Sequence, residues 1–308
     1  MCAIFGVLDY KGKLTSAQRL HMVKALGTAA EIRGTDATGI AYFQRDKLCI
    51  QKAPKPAHKM KYRIPAGVQY IMGHTRMTTQ GNAAQNQNNH PFLGKAGKQK
   101  FALAHNGVLT NDRELQFVEN LPKTNVETDS FVAVQLIEKQ NEISFQSIKK
   151  MAEKLKGSFT FTILDQDNNL YFVRGENPLT IYHYPDLGLY LYASTSEILD
   201  MAVSSLKVAY EVIQPRPGTI LRINSHGKQE TTSFELVEDS MWFFPRATFG
   251  PFSRQYKNPG NHITQQEYIQ AIKTVAAFHG FEADFIEGLI ADGYTTDDLE
   301  DMIYQNRY

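Results

Sequence analysis

The chain has few cysteines, a net charge close to zero and no long apolar run. Only two of its 308 residues are cysteine, too few for a disulfide framework, and this favours a reducing compartment. The net charge of +1 gives no reason to expect a nucleic-acid or membrane partner. No apolar stretch approaches the roughly 18 residues of a membrane span. No signal peptide is recognisable, and we expect a cytoplasmic protein.

Cofactor motifs are missing as well. No Cys or His pairs fall at the spacing of metal ligands, and no glycine-rich loop is built to hold phosphate. We therefore expect neither a metal nor a cofactor. The 42% of hydrophobic residues is ordinary for a globular protein. A chain of this length can form one large domain, or a domain with an appendage.

Cys2 stands directly behind Met1. Removal of Met1 is physically plausible and leaves a thiol and a free α-amine on Cys2. With a pKa of about 7.7–8.0, that amine is partly neutral at pH 7 and can accept the thiol proton. The apolar run Ala3–Asp9 is a predicted strand that holds Cys2 at its tip. The position of Cys2 alone favours an ordinary residue at a frayed terminus. Whether Cys2 is a nucleophile therefore depends on the other motifs of the chain.

Apolar periodicity predicts the first helix and several strands. Residues 16–26 have helical spacing, with an end near Gly27, and residues 66–73 read as a strand. From Gly157 onwards, short strands follow one another between turns. Strands at both ends of the domain and helices in its middle predict two sheets with helices packed against them.

Two polar segments have an ordinary structural interpretation. The strand predicted over residues 101–105 ends at Asn106-Gly107, and Asn-Gly is typical of a type I′ hairpin turn. Glu127–Ser130 precedes an apolar helical run, with Thr128 or Asp129 as the expected N-cap.

Taken in order, these segments resemble the class II glutamine amidotransferase domain of the N-terminal-nucleophile (Ntn) hydrolases. Glucosamine-6-phosphate synthase and glutamine phosphoribosylpyrophosphate amidotransferase carry such a domain. The matching segments are Cys2–Gly6, Arg33–Ile40, Gly73–Arg76, His90–Phe92, His105–Gly107, Glu127–Asp129, Gly157–Phe159, Arg174–Leu179, Ala193–Ser196 and Pro217–Gly218. The match covers about residues 2 to 225 in unbroken order. It implies an α+β fold, a four-layer αββα sandwich, here with a small C-terminal helical appendage.

The resemblance implies hydrolysis of the side-chain amide of L-glutamine to glutamate and ammonia. Cys2 would attack the amide and form a γ-glutamyl thioester. The side chain of Asn106 and the backbone N–H of Gly107 would stabilise the oxyanion. Arg76 would bind the α-carboxylate of glutamine through its planar fork, and Asp129 would accept from the α-ammonium.

Other positions receive supporting roles from the same resemblance. Arg33 is expected near Cys2 and would help to position it, and Thr79 is assigned to substrate binding. His74 and His90 are expected to be structural, because the α-amine is the family's base. Met77 and Gln80 depart from the family pattern in the loop over bound glutamine. These two departures put loop closure and retention of ammonia in question, but not the reaction.

Two alternatives to a glutaminase stay open. The first is an Ntn-type amidase that acts on a different amide, which the charged pair Arg76 and Asp129 disfavours. The second is a non-catalytic protein that binds and senses glutamine. The presence of Cys2, Asn106 and Gly107 disfavours the second, because a binder needs neither a nucleophile nor an oxyanion hole.

The predicted domain organisation has three parts. Residues 2–239 form the amidotransferase domain, residues 240–263 an aromatic, Pro/Gly-rich linker, and residues 264–308 a small acidic helical tail opened by a capping box. The tail is either a solvated helical cap or a docking module for a partner. Besides L-glutamine, the expected partner is a separate synthase subunit that accepts the ammonia. Homo-oligomer formation is left open.

Overall fold

The computed structural model of the chain describes residues 2–204, 206–237, 273 and 283–291. The chain divides into two units, residues 1–242 and residues 243–308. In the second unit one helix is described, α6 (Ala283–Ala291), and the side chain of Lys273 forms an ion pair with Glu287. The predicted linker and most of the predicted tail lie outside the described residues, so the three-part organisation stays a prediction.

The first unit contains thirteen strands and five helices among its described residues. The strands are β1 (Ala3–Asp9), β2 (Ala37–Gln44), β3 (Lys47–Ala53), β4 (Tyr70–Arg76), β5 (Phe92–Ala96), β6 (Gln99–Leu109), β7 (Gly157–Asp165), β8 (Leu170–Arg174), β9 (Thr180–Tyr184), β10 (Leu189–Ala193), β11 (Glu211–Ile213), β12 (Thr219–Ile223) and β13 (Gln229–Ser233). The helices are α1 (Ser16–Ala29), α2 (Asp112–Val118), α3 (Phe131–Lys139), α4 (Phe145–Ala152) and α5 (Ser196–Val203).

The strands form two antiparallel sheets. The seven-stranded sheet has the order β11-β9-β10-β1-β4-β2-β3, and the six-stranded sheet has the order β13-β12-β8-β7-β6-β5. Strand β1 is the middle strand of the first sheet, and β6 lies next to the edge strand of the second. The chain passes from the second sheet to the first between β8 and β9.

Three apolar clusters separate four layers. One lies between α1, α5 and the seven-stranded sheet, a second between the two sheets, and a third between the six-stranded sheet and α2–α4. Along β1, Phe5 and Val7 pack toward the helices, whereas Ile4 and Leu8 pack toward the other sheet. Burial of both faces explains why β1 is a continuous apolar run. The predicted αββα sandwich is confirmed.

Two predicted boundaries of regular structure are wrong. Helix α1 passes Gly27 and ends at Ala29, because Gly27 is a packing position rather than a helix stop. A Cβ there would lie 2.7 Å from the hydroxyl oxygen of Tyr62. The strand predicted at residues 66–73 is β4, which begins only at Tyr70. A turn precedes it, with Gly67 at a φ of +85°.

The interpretation of Asn106-Gly107 as a hairpin turn is also wrong. Strand β6 continues through both residues to Leu109, and Gly107 lies opposite Phe159 of β7. Neither Thr128 nor Asp129 caps the following helix. Helix α3 begins at Phe131 with Ser130 as its N-cap residue. The Asp129 carboxylate instead accepts a hydrogen bond from the backbone N–H of Leu109.

Candidate active site

Cys2 lies immediately before β1, at the end of the central strand of the seven-stranded sheet. Its thiol donates a hydrogen bond to the carbonyl oxygen of Met77, with 3.4 Å between Sγ and O. Burial raises the pKa of the Cys2 thiol, and the nearby positive charge of Arg76 offsets only part of this effect. The sulfur is therefore a protonated thiol at neutral pH and needs a base to become a nucleophile.

Arg33 connects Cys2 to Asn106. Its Nε donates to the carbonyl oxygen of Cys2 at 2.9 Å, and its Nη2 donates to Oδ1 of Asn106 at 3.4 Å. Arg33 is the last residue of a short 3-10 helix that directly follows α1. One guanidinium therefore fixes both the backbone of Cys2, 31 positions before Arg33, and the side chain of Asn106, 73 positions after it.

Asn106 is fully buried in β6. Its Oδ1 is held by Arg33, whereas its Nδ2 has no hydrogen-bond partner among the residues that the structure describes. A buried amide donor left without an acceptor is costly and calls for an explanation in terms of function. Gly107, the next residue, lines the same cavity as Cys2.

Arg76 ends β4 and is buried in the loop that follows. Its Nη1 donates to Oδ1 of Asn89 at 2.6 Å, and its Nη2 donates to the carbonyl oxygens of Gln80 and Gly81, the latter at 3.1 Å. The amide of Asn89 also donates to the carbonyl oxygen of Ala83 at 2.7 Å. The loop after β4 is thus folded around the guanidinium.

Asp129 is buried just before α3. Its Oδ2 accepts from the backbone N–H of Leu109 at 2.6 Å, and its Oδ1 accepts from the Ser130 hydroxyl at 3.2 Å. The Ser130 hydroxyl also lies 2.7 Å from Nδ1 of His105. The end of β6 therefore contains Gly107 and, through the N–H of Leu109, also fixes the position of the Asp129 carboxylate.

These side chains surround one cavity. Its lining is formed by Cys2, Arg76, Met77, Thr79, Gln80, His90, His105, Gly107, Thr128, Asp129 and Ser130. The space inside is narrow, about 10 Å³, which is room for one water molecule. Five of the seven predicted site residues line the cavity, and the remaining two, Arg33 and Asn106, contact each other beside Cys2.

Three buried histidines form a cluster at the cavity, and two of them, His90 and His105, line it. The rings of His74 and His90 lie 4.3 Å apart between centroids, and those of His90 and His105 lie 6.4 Å apart. Burial lowers the pKa of His74 to about 3 and that of His105 to about 4, and it lowers the pKa of His90 well below the ordinary value. All three are neutral at pH 7, which suits structural roles and disfavours general base catalysis.

Sequence reasoning missed several polar residues that hold the site together. Asn89 fixes Arg76, Ser130 fixes Asp129, and Asn177 donates to the carbonyl oxygen of Asn106. In the sequence, Asn89 is only one of several Asn and Gln residues in the loop before the cis His90-Pro91 bond. No periodicity or turn signal distinguishes these three residues from ordinary loop positions.

In the ranges that the structure covers, no group of three or more His, Cys, Asp or Glu side chains could hold a metal ion. Among the helices described here, none is both long enough and apolar enough to cross a membrane.

The two stacked antiparallel sheets between helix layers, with Cys2 at the tip of a central strand, define an Ntn-type sandwich. Two solved structures share this fold. Glutamine PRPP amidotransferase from B. subtilis, complexed with ADP and GMP, has a TM-score of 0.59 and 22% identity over 76% of this chain and 49% of its own. A structure described as the allosteric regulatory enzyme of purine biosynthesis has a TM-score of 0.58 and 23% identity over the same shares.

Sequence comparisons identify the domain. Residues 74–201 match the family model of the glutamine amidotransferase domain. The glutamine–fructose-6-phosphate aminotransferase of Aquifex aeolicus is 31% identical over 190 residues, which are 57% of this chain. The enzyme of the same name from Staphylococcus aureus is 30% identical over 195 residues, or 59% of this chain. The chain spans about 30% of the length of these curated relatives.

The chain therefore carries a glutamine amidotransferase domain of class II, the Ntn type. The relatives named above are enzymes.

Proposed function

We propose that this domain hydrolyses the side-chain amide of L-glutamine to glutamate and ammonia through a γ-glutamyl thioester on Cys2. The observation that carries the proposal is the gathering of Cys2, Gly107, Arg76 and Asp129 around one cavity. A thiol, a backbone N–H, a guanidinium and a carboxylate are the groups that a free amino acid with a reactive amide requires. The remaining oxyanion donor would come from the unpartnered Nδ2 of Asn106.

The first half of the reaction forms the thioester. With Met1 removed, the neutral α-amine of Cys2 takes the proton of its own thiol, and the sulfur attacks the amide carbon. The charge that develops on the amide oxygen is stabilised by the N–H groups of Asn106 and Gly107. The carbon–nitrogen bond then breaks, and the amine returns its proton to the departing ammonia.

The second half releases glutamate. Water gives a proton to the α-amine and attacks the thioester carbon, and the same two donors stabilise the second oxyanion. When the carbon–sulfur bond breaks, the proton passes back to the sulfur and the thiol is restored. The sulfur therefore begins and ends the cycle as a thiol.

Arg76 and Asp129 would recognise the amino-acid end of the substrate. The carboxylate of glutamine would replace the neutral carbonyl oxygens of Gln80 and Gly81 on the guanidinium, and an anionic acceptor makes a stronger hydrogen bond than a carbonyl. The cavity has room for about one water molecule, so the loop after β4 must move for glutamine to enter. Thr79 and Gln80 in that loop would then cover the substrate.

Release of glutamate from glutamine by the purified protein tests the proposal. Wild-type protein and the Cys49→Ala variant should both be active, whereas Cys2→Ala should be inactive. Cys49 is the matched control, because it is the other cysteine of the chain and lies in β3, outside the cavity lining. Activity that survives in Cys2→Ala would contradict the mechanism. Activity on other amides but not on glutamine would favour the alternative Ntn amidase.

We further propose that the ammonia passes to an acceptor enzyme that is a separate protein. By their names, the aminotransferase relatives use glutamine together with an acceptor, fructose-6-phosphate. Residues 260–308 are the proposed docking segment. A pull-down with the full chain should recover the acceptor, and deletion of residues 260–308 should abolish recovery while glutaminase activity remains. If the truncated protein recovered as much acceptor as the full chain, this part of the proposal would be wrong.

A further inference from the structure

The peptide group between Asn106 and Gly107 has a hydrogen-bond partner on the side of its carbonyl. Its oxygen accepts from Nδ2 of Asn177 at 2.8 Å. Its N–H is the backbone donor of the proposed oxyanion hole, and Gly107 lines the cavity with Cys2. In a planar trans peptide the C=O and the N–H point in opposite directions. A partner that fixes the carbonyl on one side therefore fixes the direction of the N–H on the other.

Asn177 is itself held in place by a second contact. The hydroxyl of Thr160 donates to the carbonyl oxygen of Asn177 at 2.6 Å. Thr160 is fully buried in β7 and lies directly opposite Asn106 in the β6–β7 pairing. Asn177 thus connects the two neighbouring strands, because it donates to Asn106 of β6 and accepts from Thr160 of β7.

The loop that carries Asn177 connects β8 of one sheet to β9 of the other. It therefore crosses the sandwich beside the end of β6 where Asn106 and Gly107 lie. A Cβ on Gly107 would come within 2.7 Å of Nδ2 of Asn177 and within 2.0 Å of the carbonyl oxygen of Ser158. Only glycine lets the Asn177 amide lie this close to the backbone of β6.

We infer that Asn177 is a positioning residue that orients the Asn106–Gly107 peptide and thereby aims the Gly107 N–H at the reacting amide. This inference rests on the proposed glutaminase function. A hydrogen bond accepted by a peptide carbonyl also polarises the N–H of the same peptide and strengthens it as a donor. Asn177 is not among the residues that line the cavity, so its effect should fall on kcat rather than on glutamine binding.

The kinetic test compares Asn177→Leu, which removes the donor at similar size, with Thr160→Val, which removes the contact that holds Asn177. Both variants should lower kcat for glutamine about 5- to 30-fold, less than loss of an oxyanion donor itself, and leave KM within about two-fold. The matched control is Asn111→Leu. Asn111 donates an equivalent bond to the carbonyl oxygen of Lys154, and neither of these two residues lines the cavity. A kcat within two-fold of wild type in both test variants overturns the inference, as does a rise in KM without a fall in kcat.

A spectroscopic test reads the peptide directly. Asn-Gly occurs once in the sequence, so labelling asparagine with ¹³C at the carbonyl and glycine with ¹⁵N selects the single amide signal of Gly107. Its ¹⁵N shift should move in Asn177→Leu and Thr160→Val and stay unchanged in Asn111→Leu. This readout does not depend on activity. If wild-type protein released no glutamate, the proposed function would fail, whereas an unmoved Gly107 signal would overturn the positioning role alone.

Discussion

Asn89 and Arg76 hold each other inside the protein. The Oδ1 of Asn89 accepts from the Nη1 of Arg76 at 2.6 Å, and the two residues are 0% and 3% exposed. The same amide of Asn89 donates to the carbonyl oxygen of Ala83. One side chain therefore fixes both the proposed carboxylate binder and the loop that would cover the substrate.

Replacing Asn89 by alanine should weaken glutamine binding. The variant loses the contact that orients Arg76, so KM for glutamine should rise about 10-fold, in line with a lost hydrogen bond to a charged group, while kcat changes little. Steady-state kinetics checks this. Gln87→Ala is the control, because Gln87 is exposed in the same loop and bonds only to Gln85 among the contacts described. An unchanged KM in Asn89→Ala would contradict the role of Asn89.

Arg76→Lys should keep the charge but lose the planar fork. A single ammonium cannot bind a carboxylate in a bidentate manner, so kcat/KM for glutamine should fall about 10- to 100-fold, mainly through KM. Exposed Arg45 provides the control, and Arg45→Lys should match wild type. Equal KM values for wild type and Arg76→Lys would remove Arg76 from carboxylate recognition.

Asn106→Ala should lower kcat without a comparable effect on KM. Its Nδ2 is the side-chain donor proposed for the oxyanion, and removal of one such donor costs about 10²- to 10³-fold in kcat. Pre-steady-state measurement of thioester formation should show the same loss. If kcat were unchanged and only the thermal unfolding midpoint fell, Asn106 would be a structural residue.

The histidine cluster predicts a loss of stability in acid. When folded, His74 and His105 have pKa values of about 3 and 4, and the pKa of His90 is also depressed by burial and by His74, His105, Arg76 and Lys52. The unfolded chain has ordinary histidine pKa values of about 6.5, so it binds more protons than the folded chain below that pH. The free energy of unfolding should therefore fall as pH drops from about 6.5 toward 4, by roughly 1 kcal/mol per pH unit for each histidine.

Denaturant titrations at several pH values measure this slope. In His90→Phe the slope should decrease by the share of one histidine, because phenylalanine fills the space without binding a proton. His21→Phe is the control and should keep the wild-type slope, since His21 is exposed on α1. Identical slopes for wild type and His90→Phe would show that His90 does not contribute.

Most of the fold could be predicted from the sequence, because the strands are continuous apolar runs bounded by turns. Strands β8 and β10 belong to the series of short strands predicted from Gly157 onwards, and both faces of each strand are buried. The errors arose where tertiary contacts overrode a local signal. Gly27 is typical of a helix end, but here it lies within α1 and packs closely against Tyr62. Asn106-Gly107 is typical of a turn, but here both residues continue strand β6.

The candidate site likewise contains residues that the sequence predicts and residues that only the folded structure reveals. Cys2, Arg76 and Asp129 belong to short motifs that a family resemblance can match, and the structure gathers them around one cavity. The side chain of Asn89 contacts Arg76 across 13 positions of sequence, and that of Asn177 contacts Asn106 across 71. Such contacts leave no periodic pattern, and only the folded backbone brings the partners together.

The intact mass of the purified protein, before and after incubation with a diazoketone that mimics glutamine, tests the central claim most directly. We predict that the mass of Met1 is absent and that one adduct forms and maps to Cys2, with none on Cys49. A protein that retains Met1 and forms no adduct would contradict an N-terminal nucleophile and favour a non-catalytic glutamine sensor.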